Sequence, residues 1–155
     1  MKIYFDTEFE GLFPEAGLIS IGLTNASGTQ NFYAELSDSY SLENCSAFCK
    51  SEVIPMLEGG LKKVTTLQLR KQLWEWLENQ GETEIVCDSK RDVMQIKSLF
   101  PEGIPPFCEC LVLGFWSGLK RKLFNRNKRI YKIYNLRSHH SLDDAIVNRI
   151  IFEGK

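Results

Sequence analysis

The chain has 155 residues, a length that suits one domain with one core across 1–155. Charged residues make up 25% and hydrophobic residues 43%, the fractions expected of an ordinary soluble protein, and no apolar run approaches the roughly 20 residues of a membrane helix. The net charge of −1 hides an asymmetry: residues 1–60 carry nine acids and two bases, whereas Leu111 to Ser138 carry eight bases and no acid, so a cation-binding pole and a polyanion-binding pole are expected.

Ile3 to Phe5 is a β-prone run that ends abruptly in Asp6 and Glu8. If the strand continues through them, both acids point to one face, because side chains alternate along a strand. Two same-facing acids at the end of an apolar strand are costly unless neutralised, and hard divalent cations with their preference for oxygen ligands would do it. Solvated acids at a strand end are the plain alternative, and the D-x-E pattern alone is a weak signal. Gly11, Pro14 and Gly17 mark a loop. Leu18 to Thr24 reads as a buried strand and Gln30 to Leu36 as a third, so 18–36 forms a hairpin. Ser41 to Leu57 reads as a helix that Pro55 bends or ends, and Gly59-Gly60 is a break.

Thr65 and Gln68 match a capping box, Leu69, Leu73, Trp76 and Leu77 follow at helical spacing, and Gly81 supplies the C-terminal cap. Trp74 cannot share a face with Trp76, and Trp76 is the one expected in the core. Ile85 to Cys87 is a short strand, Asp92 to Phe100 a helix closed by Pro101, and Phe107 to Leu113 a further strand. Ser117 to Lys132 is polar and basic, with no clear element. Ser141 caps a last helix with Asp144 three residues on, and Leu142, Ala145, Ile146, Arg149 and Ile150 keep helical spacing. His139 then lies just before the first turn. Read singly, Asp144 is a dipole-favoured acid and His139 a loop histidine. The five cysteines are an odd count with no C-x-x-C pair, which weighs against a disulfide framework and against zinc and suits a reducing cytoplasm. The N-terminus also lacks a basic segment followed by an apolar one. Three early strands followed by alternating helices and strands imply an α/β chain, a mixed sheet covered by helices.

The two ends together carry more than either alone. DTEFEGL resembles the first motif, D-T-E-x-x-G-L, of the DEDD 3′–5′ exonucleases, and HHSLDDA resembles the third motif in its histidine form, H-x-A-L-x-D-A, known as DEDDh. FDTEFEGL followed by LISIGL is most similar to the short bacterial exoribonucleases of the RNase AS type. With a middle motif, the resemblance spans nearly the whole chain. It implies a ribonuclease-H-like fold, with three antiparallel N-terminal strands followed by parallel ones. It implies a 3′–5′ exonuclease on single-stranded nucleic acid, RNA favoured, with two Mg²⁺ or Mn²⁺ ions per active site, and it allows a homodimer. Asp6 would bridge both metals, Glu8 and Asp144 would complete the nucleophile-side site, and Asp92 would hold the second metal. His139 would be the general base, a role that an imidazole with its ordinary pKa of about 6.5 suits near neutrality.

The middle acid is a choice between Asp88 and Asp92. Asp92 fits the motif's place at a helix start after a strand, although Arg91 stands where an aromatic is usual; Asp88 is the runner-up or an outer partner. His140 matches no motif position and is expected to be an exposed neighbour. Thr7, Phe9 and Leu12 adjoin the acids, and the resemblance sets this segment against the terminal nucleotide, with Phe9 and Leu12 as core residues the alternative. Lys120, Arg121, Lys122, Arg126, Lys128 and Arg129, interleaved with Phe124 and Tyr131, would follow a nucleic-acid backbone, a solvated face being the alternative. The rival functions are a DNA-directed exonuclease, a hydrolase of small nucleotides, and a non-catalytic nucleic-acid-binding module.

Overall fold

The computed structural model describes residues 1–112 and 128–154. Six strands form one mixed sheet: β1 Lys2–Phe9, β2 Leu18–Asn25, β3 Asn31–Leu36, β4 Lys63–Val64, β5 Thr83–Cys87 and β6 Cys108–Val112. Their spatial order is β4-β3-β2-β1-β5-β6. β1, β2 and β3 pair antiparallel, whereas β4 joins β3, and β5 and β6 extend β1, in parallel. β1 thus runs down the middle, with an antiparallel neighbour on one side and a parallel one on the other.

The helices are α1 Thr66–Gln80, α2 Lys90–Leu99, α3 over 128–134 and α4 Ser141–Glu153. Alternation along β1 divides the layers. Ile3 and Phe5 face α1 and α2, in a core with Leu69, Leu73, Leu77, Ile96 and Leu99. Tyr4 faces the other way, where its ring stacks on Phe152 of α4. Ile130 of α3 packs on Val147, Ile150 and Ile151 of α4. With both faces covered, all eight residues of β2 are buried.

The capping box at Thr65 and Gln68 is present, and Gly81 closes α1. Trp74 and Trp76 are both half-buried, on different partners: Trp74 on Phe100 and Phe107, Trp76 on Phe32. Two expectations are corrected. The 41–57 segment is helical over 47–56 alone, and only its first two residues are α. Glu10 accepts hydrogen bonds from the Ser41 amide through its carboxylate and from the Ser46 amide through its carbonyl, which ties this stretch to the 10–17 loop. The chain then makes a π turn at Cys49–Val53 and tightens to 3₁₀ at Ile54–Met56, where Pro55 has no N–H for an α ladder. The cap of α4 is also not Ser141 but His140, whose side chain accepts from the Asp143 amide. Among the described residues no helix is long and apolar enough to cross a membrane, and all five cysteines are free.

Candidate active site

Asp6 and Glu8 lie within β1, which continues through them, so both point to the side that α4 covers. Opposite them in β2 stand Gly22 and Ser20. A Cβ on Gly22 would fall 2.1 Å from the Leu142 nitrogen and 2.2 Å from its Cα, so a hydrogen at this position is what lets the first turn of α4 lie directly on the sheet. The Ser20 and Ser141 hydroxyls meet at 3.0 Å in the same seam. This close approach brings Asp144, in the first turn of α4, to the end of β1.

Two groups of possible ligands result. One ligand atom each from Glu8, His139 and Asp144 lie within 4.8 Å of one another. So do one each from Asp6, Asp88 and Asp92. The sequence therefore posed a choice between Asp88 and Asp92 where the structure brings both to Asp6. Among the described residues neither group includes a cysteine.

Each side chain is held from behind. Asp92 is 2% exposed, and its Oδ1 accepts from the Thr7 amide at 3.2 Å and the Thr7 hydroxyl at 2.6 Å. Its Oδ2 is buried without a hydrogen-bond partner. Asp144 accepts from the Tyr131 hydroxyl at 2.5 Å and from the His139 amide at 3.2 Å. His139 adopts a positive φ of 63°, a strained backbone for a residue with a Cβ, and Phe48 meets its ring edge-on at 4.9 Å.

The turn that carries His139 is clamped by its neighbour. His140 is not exposed but 1% accessible, stacked on Tyr33 at 4.4 Å, because capping α4 draws its ring under the helix. Arg137 reaches Asp143 at 2.8 Å and Glu58 at 3.0 Å. Burial works against ionisation of Asp143, but hydrogen bonds from His140 and Arg137 outweigh it and hold the carboxyl well below the usual range.

The site acids behave oppositely. Burial first, then the charge of Asp92, pushes the Asp6 carboxyl well above its ordinary range. Burial, with the charges of Asp144 and Asp92, raises Glu8 to about 8. Burial raises Asp92 and Asp144 to about 7 each, against the opposing hydrogen bonds from Thr7 and Tyr131, and it raises Asp88 as well. The described ion pairs, Lys71–Glu75 and those of Arg137 and His140, involve none of these five. A buried, mutually repelling set of carboxylates with an unpartnered oxygen fits divalent cations: the donors are oxygens, and the missing partner is positive.

No family model matches the chain, and a search of curated proteins finds no match.

The remaining expected site residues divide. Thr7 is buried, with its hydroxyl and amide both on Asp92, so it positions that carboxylate. Leu12 is 77% exposed, which excludes the core alternative for it. Phe9 is half-buried and lines a cavity of about 240 Å³ with Phe13, Arg91, Met94 and Gln95. Lys128 and Arg129 are exposed on α3, while Lys120, Arg121, Lys122, Phe124 and Arg126 lie outside the described residues. Tyr131, expected as an aromatic for nucleic acid, turns to Asp144 instead. Gly22 and the role of Tyr131 were not evident from the sequence. A glycine inside an otherwise apolar strand was the available signal for the first; nothing marked the second.

Proposed function

We propose that this chain is a metal-dependent 3′–5′ exonuclease of ribonuclease-H-like architecture acting on single-stranded nucleic acid, RNA favoured. The observation that carries the reading is a pair of possible ligand groups, Glu8 with His139 and Asp144 and Asp6 with Asp88 and Asp92, joined through the two acids of β1. The sheet order, antiparallel then parallel with α4 laid over β1 and β2, supports the architecture. Asp6, Glu8, Asp92 and Asp144 would hold two Mg²⁺ or Mn²⁺ ions. When bound, two such ions acidify a water and stabilise charge on both the attacking and the departing oxygen.

The chain's own residues do the rest. In hydrolysis a water oxygen bonds to phosphorus, the P–O3′ bond breaks, and a nucleoside 5′-monophosphate leaves a chain with a free 3′ hydroxyl. One proton leaves the attacking water, and one reaches the departing O3′. Of the six side chains in the two groups, His139 alone is neither an acid nor fixed by another side chain's hydrogen bond, and an imidazole suits proton transfer near neutral pH. Its φ of 63° and the edge of Phe48 hold the ring in place. Tyr131 and the His139 amide fix Asp144, and Thr7 fixes Asp92, so the carboxylates need little reordering to accept a cation. Exposed Leu12 and half-buried Phe9 offer apolar surface to a terminal base.

The test is degradation of 5′-end-labelled RNA and DNA of equal sequence, with Mg²⁺, Mn²⁺ or EDTA. A metal-dependent ladder shortening from the 3′ end is expected, faster on RNA. Faster shortening of DNA would move the substrate to DNA. Binding without turnover would make the chain a nucleic-acid-binding module, and turnover confined to dinucleotides would make it a small-nucleotide hydrolase.

A further inference from the structure

The sequence motif accounts for one middle carboxylate, and the fold delivers two. β1 and β5 run parallel, with Lys2 beside Glu84, Ile3 beside Ile85 and Tyr4 beside Val86. Two residues further along each chain stand Asp6 and Asp88, which side-chain alternation carries to the face shared by Tyr4 and Val86. Neighbouring strands lie about 4.8 Å apart, so two like charges meet at the ends of adjacent strands, an arrangement that is destabilising by itself. Asp92 then reaches over the same strand ends from α2, whose cap, Ser89, directly follows Asp88. The three acids come within 4.8 Å of one another, and the buried Oδ2 of Asp92 has no partner.

We propose that Asp88 is a direct ligand of the second cation, which makes that position a preformed site of three carboxylates that fills before nucleic acid arrives. The proposal rests on the metal-dependent reading above and goes further in naming what holds the second ion. With Asp6 and Asp92 alone, much of the ion's coordination would fall to water and to the substrate phosphate, so firm binding would wait for substrate. A third carboxylate raises the ligand charge, the main determinant of affinity at oxygen sites for hard cations. Asp88 also gives the chain five carboxylates against two dications, which leaves the loaded centre one negative charge in excess. Such a centre keeps its ions and leaves substrate attraction to basic residues elsewhere.

The experiment counts Mn²⁺ bound to the full chain without nucleic acid, by electron paramagnetic resonance of free Mn²⁺ and by calorimetric titration. Two ions per chain are expected for the unaltered protein. Asp88→Asn should keep one site unchanged and weaken the other by more than the roughly 10-fold to 100-fold that loss of an outer partner costs, and a smaller loss would overturn the proposal by making Asp88 such a partner. Asp88→Glu should restore part of the loss. In EDTA, Asp88→Asn should melt no lower than the parent, since one repelling charge is gone, and this establishes that it folds. Two ions bound by Asp88→Asn with unchanged affinities would overturn the proposal while leaving the metal-dependent reading intact. One ion in the unaltered protein, with a second only when oligonucleotide is added, would overturn it in the same way. No Mn²⁺ bound to the unaltered protein, with or without oligonucleotide, would overturn both.

Discussion

Asp6 and Glu8 share a strand face with no described cation to balance them, so neutralising either has two opposite effects. Asp6→Asn or Glu8→Gln should lower hydrolysis by more than about 100-fold at saturating Mg²⁺, while the melting temperature in EDTA holds or rises. Near-normal turnover in either variant would remove that residue from the metal centre. The raised carboxyls also set a pH dependence. In the folded chain Glu8 keeps its proton to about pH 8, and Asp92 and Asp144 to about 7, whereas ordinary carboxyls in the unfolded chain release theirs near 4. Between about pH 4 and 8 the folded state binds more protons, so stability without metal falls as pH rises across that window. Melts in EDTA should show this fall, and Asp6→Asn should flatten it; a melting temperature that climbs from about pH 5 to 8 would contradict the burial of these acids. Manganese should raise the melting temperature more at the alkaline end, since it competes with protons for the same oxygens. Thr7 offers a milder test: Thr7→Val keeps the shape but removes the 2.6 Å bond to Asp92. It should cost about 1 kcal/mol of stability and roughly 10-fold to 100-fold in metal affinity, read by titration with Mn²⁺.

At the scale of elements, the decisive contact is between β2 and α4. In Gly22→Ala the new methyl would meet Leu142 backbone, which cannot rotate away. Overpacking of that kind costs about 1–3 kcal/mol, or about 3–10 °C in melting temperature for a chain of this length. Activity should fall with it, because Asp144 moves with the helix; an unchanged melt and unchanged turnover would show that the seam tolerates a methyl. Which elements the sequence disclosed follows from the same physics. β-prone residues announced β1, strand-like runs on either side of a turn announced β2 and β3, and the capping-box pair Thr65 and Gln68 announced the start of α1, because these signals are local. The 41–57 stretch misled because Cys45, Cys49 and Val53 are buried at intervals of four, as in a helix, while its actual path is set by Glu10, far away in sequence. Asp6, Glu8 and Asp144 were legible from motif spacing. That Asp88 and Asp92 would both come to Asp6 was not, since it depends on the register between β1 and β5. His140 was misplaced for a like reason: its burial comes from the Tyr33 ring on β3.

Along the whole chain, charge is divided between the acidic residues 1–60, which supply Asp6 and Glu8, and the basic span from 111 to 138. Changing Lys120, Arg121 and Lys122 together to Glu should weaken binding of a long single-stranded RNA and flatten its salt dependence by roughly 0.7 for each phosphate that is no longer neutralised. Turnover at saturation should change little, because the carboxylates lie elsewhere in the sequence. Unchanged affinity with an unchanged salt slope would make the stretch a solvated face, and equal weakening on a dinucleotide would point to a disturbed site.

The seam between Gly22 and Leu142 joins parts of the chain that a ribosome makes at very different times. When residue 112 has just been added, Asp6, Glu8, Asp88 and Asp92 already exist, but His139 and Asp144 do not. The sheet face bearing Tyr4 and Gly22 is then bare, since the helix that covers it is still to be synthesised. Closing so long a loop is the slow step expected of a fold whose ends pack together. Under the proposed activity, a growing chain therefore carries most of the acids of its centre and none of its proton acceptor, and the message it is being read from is safe from it until α4 has docked.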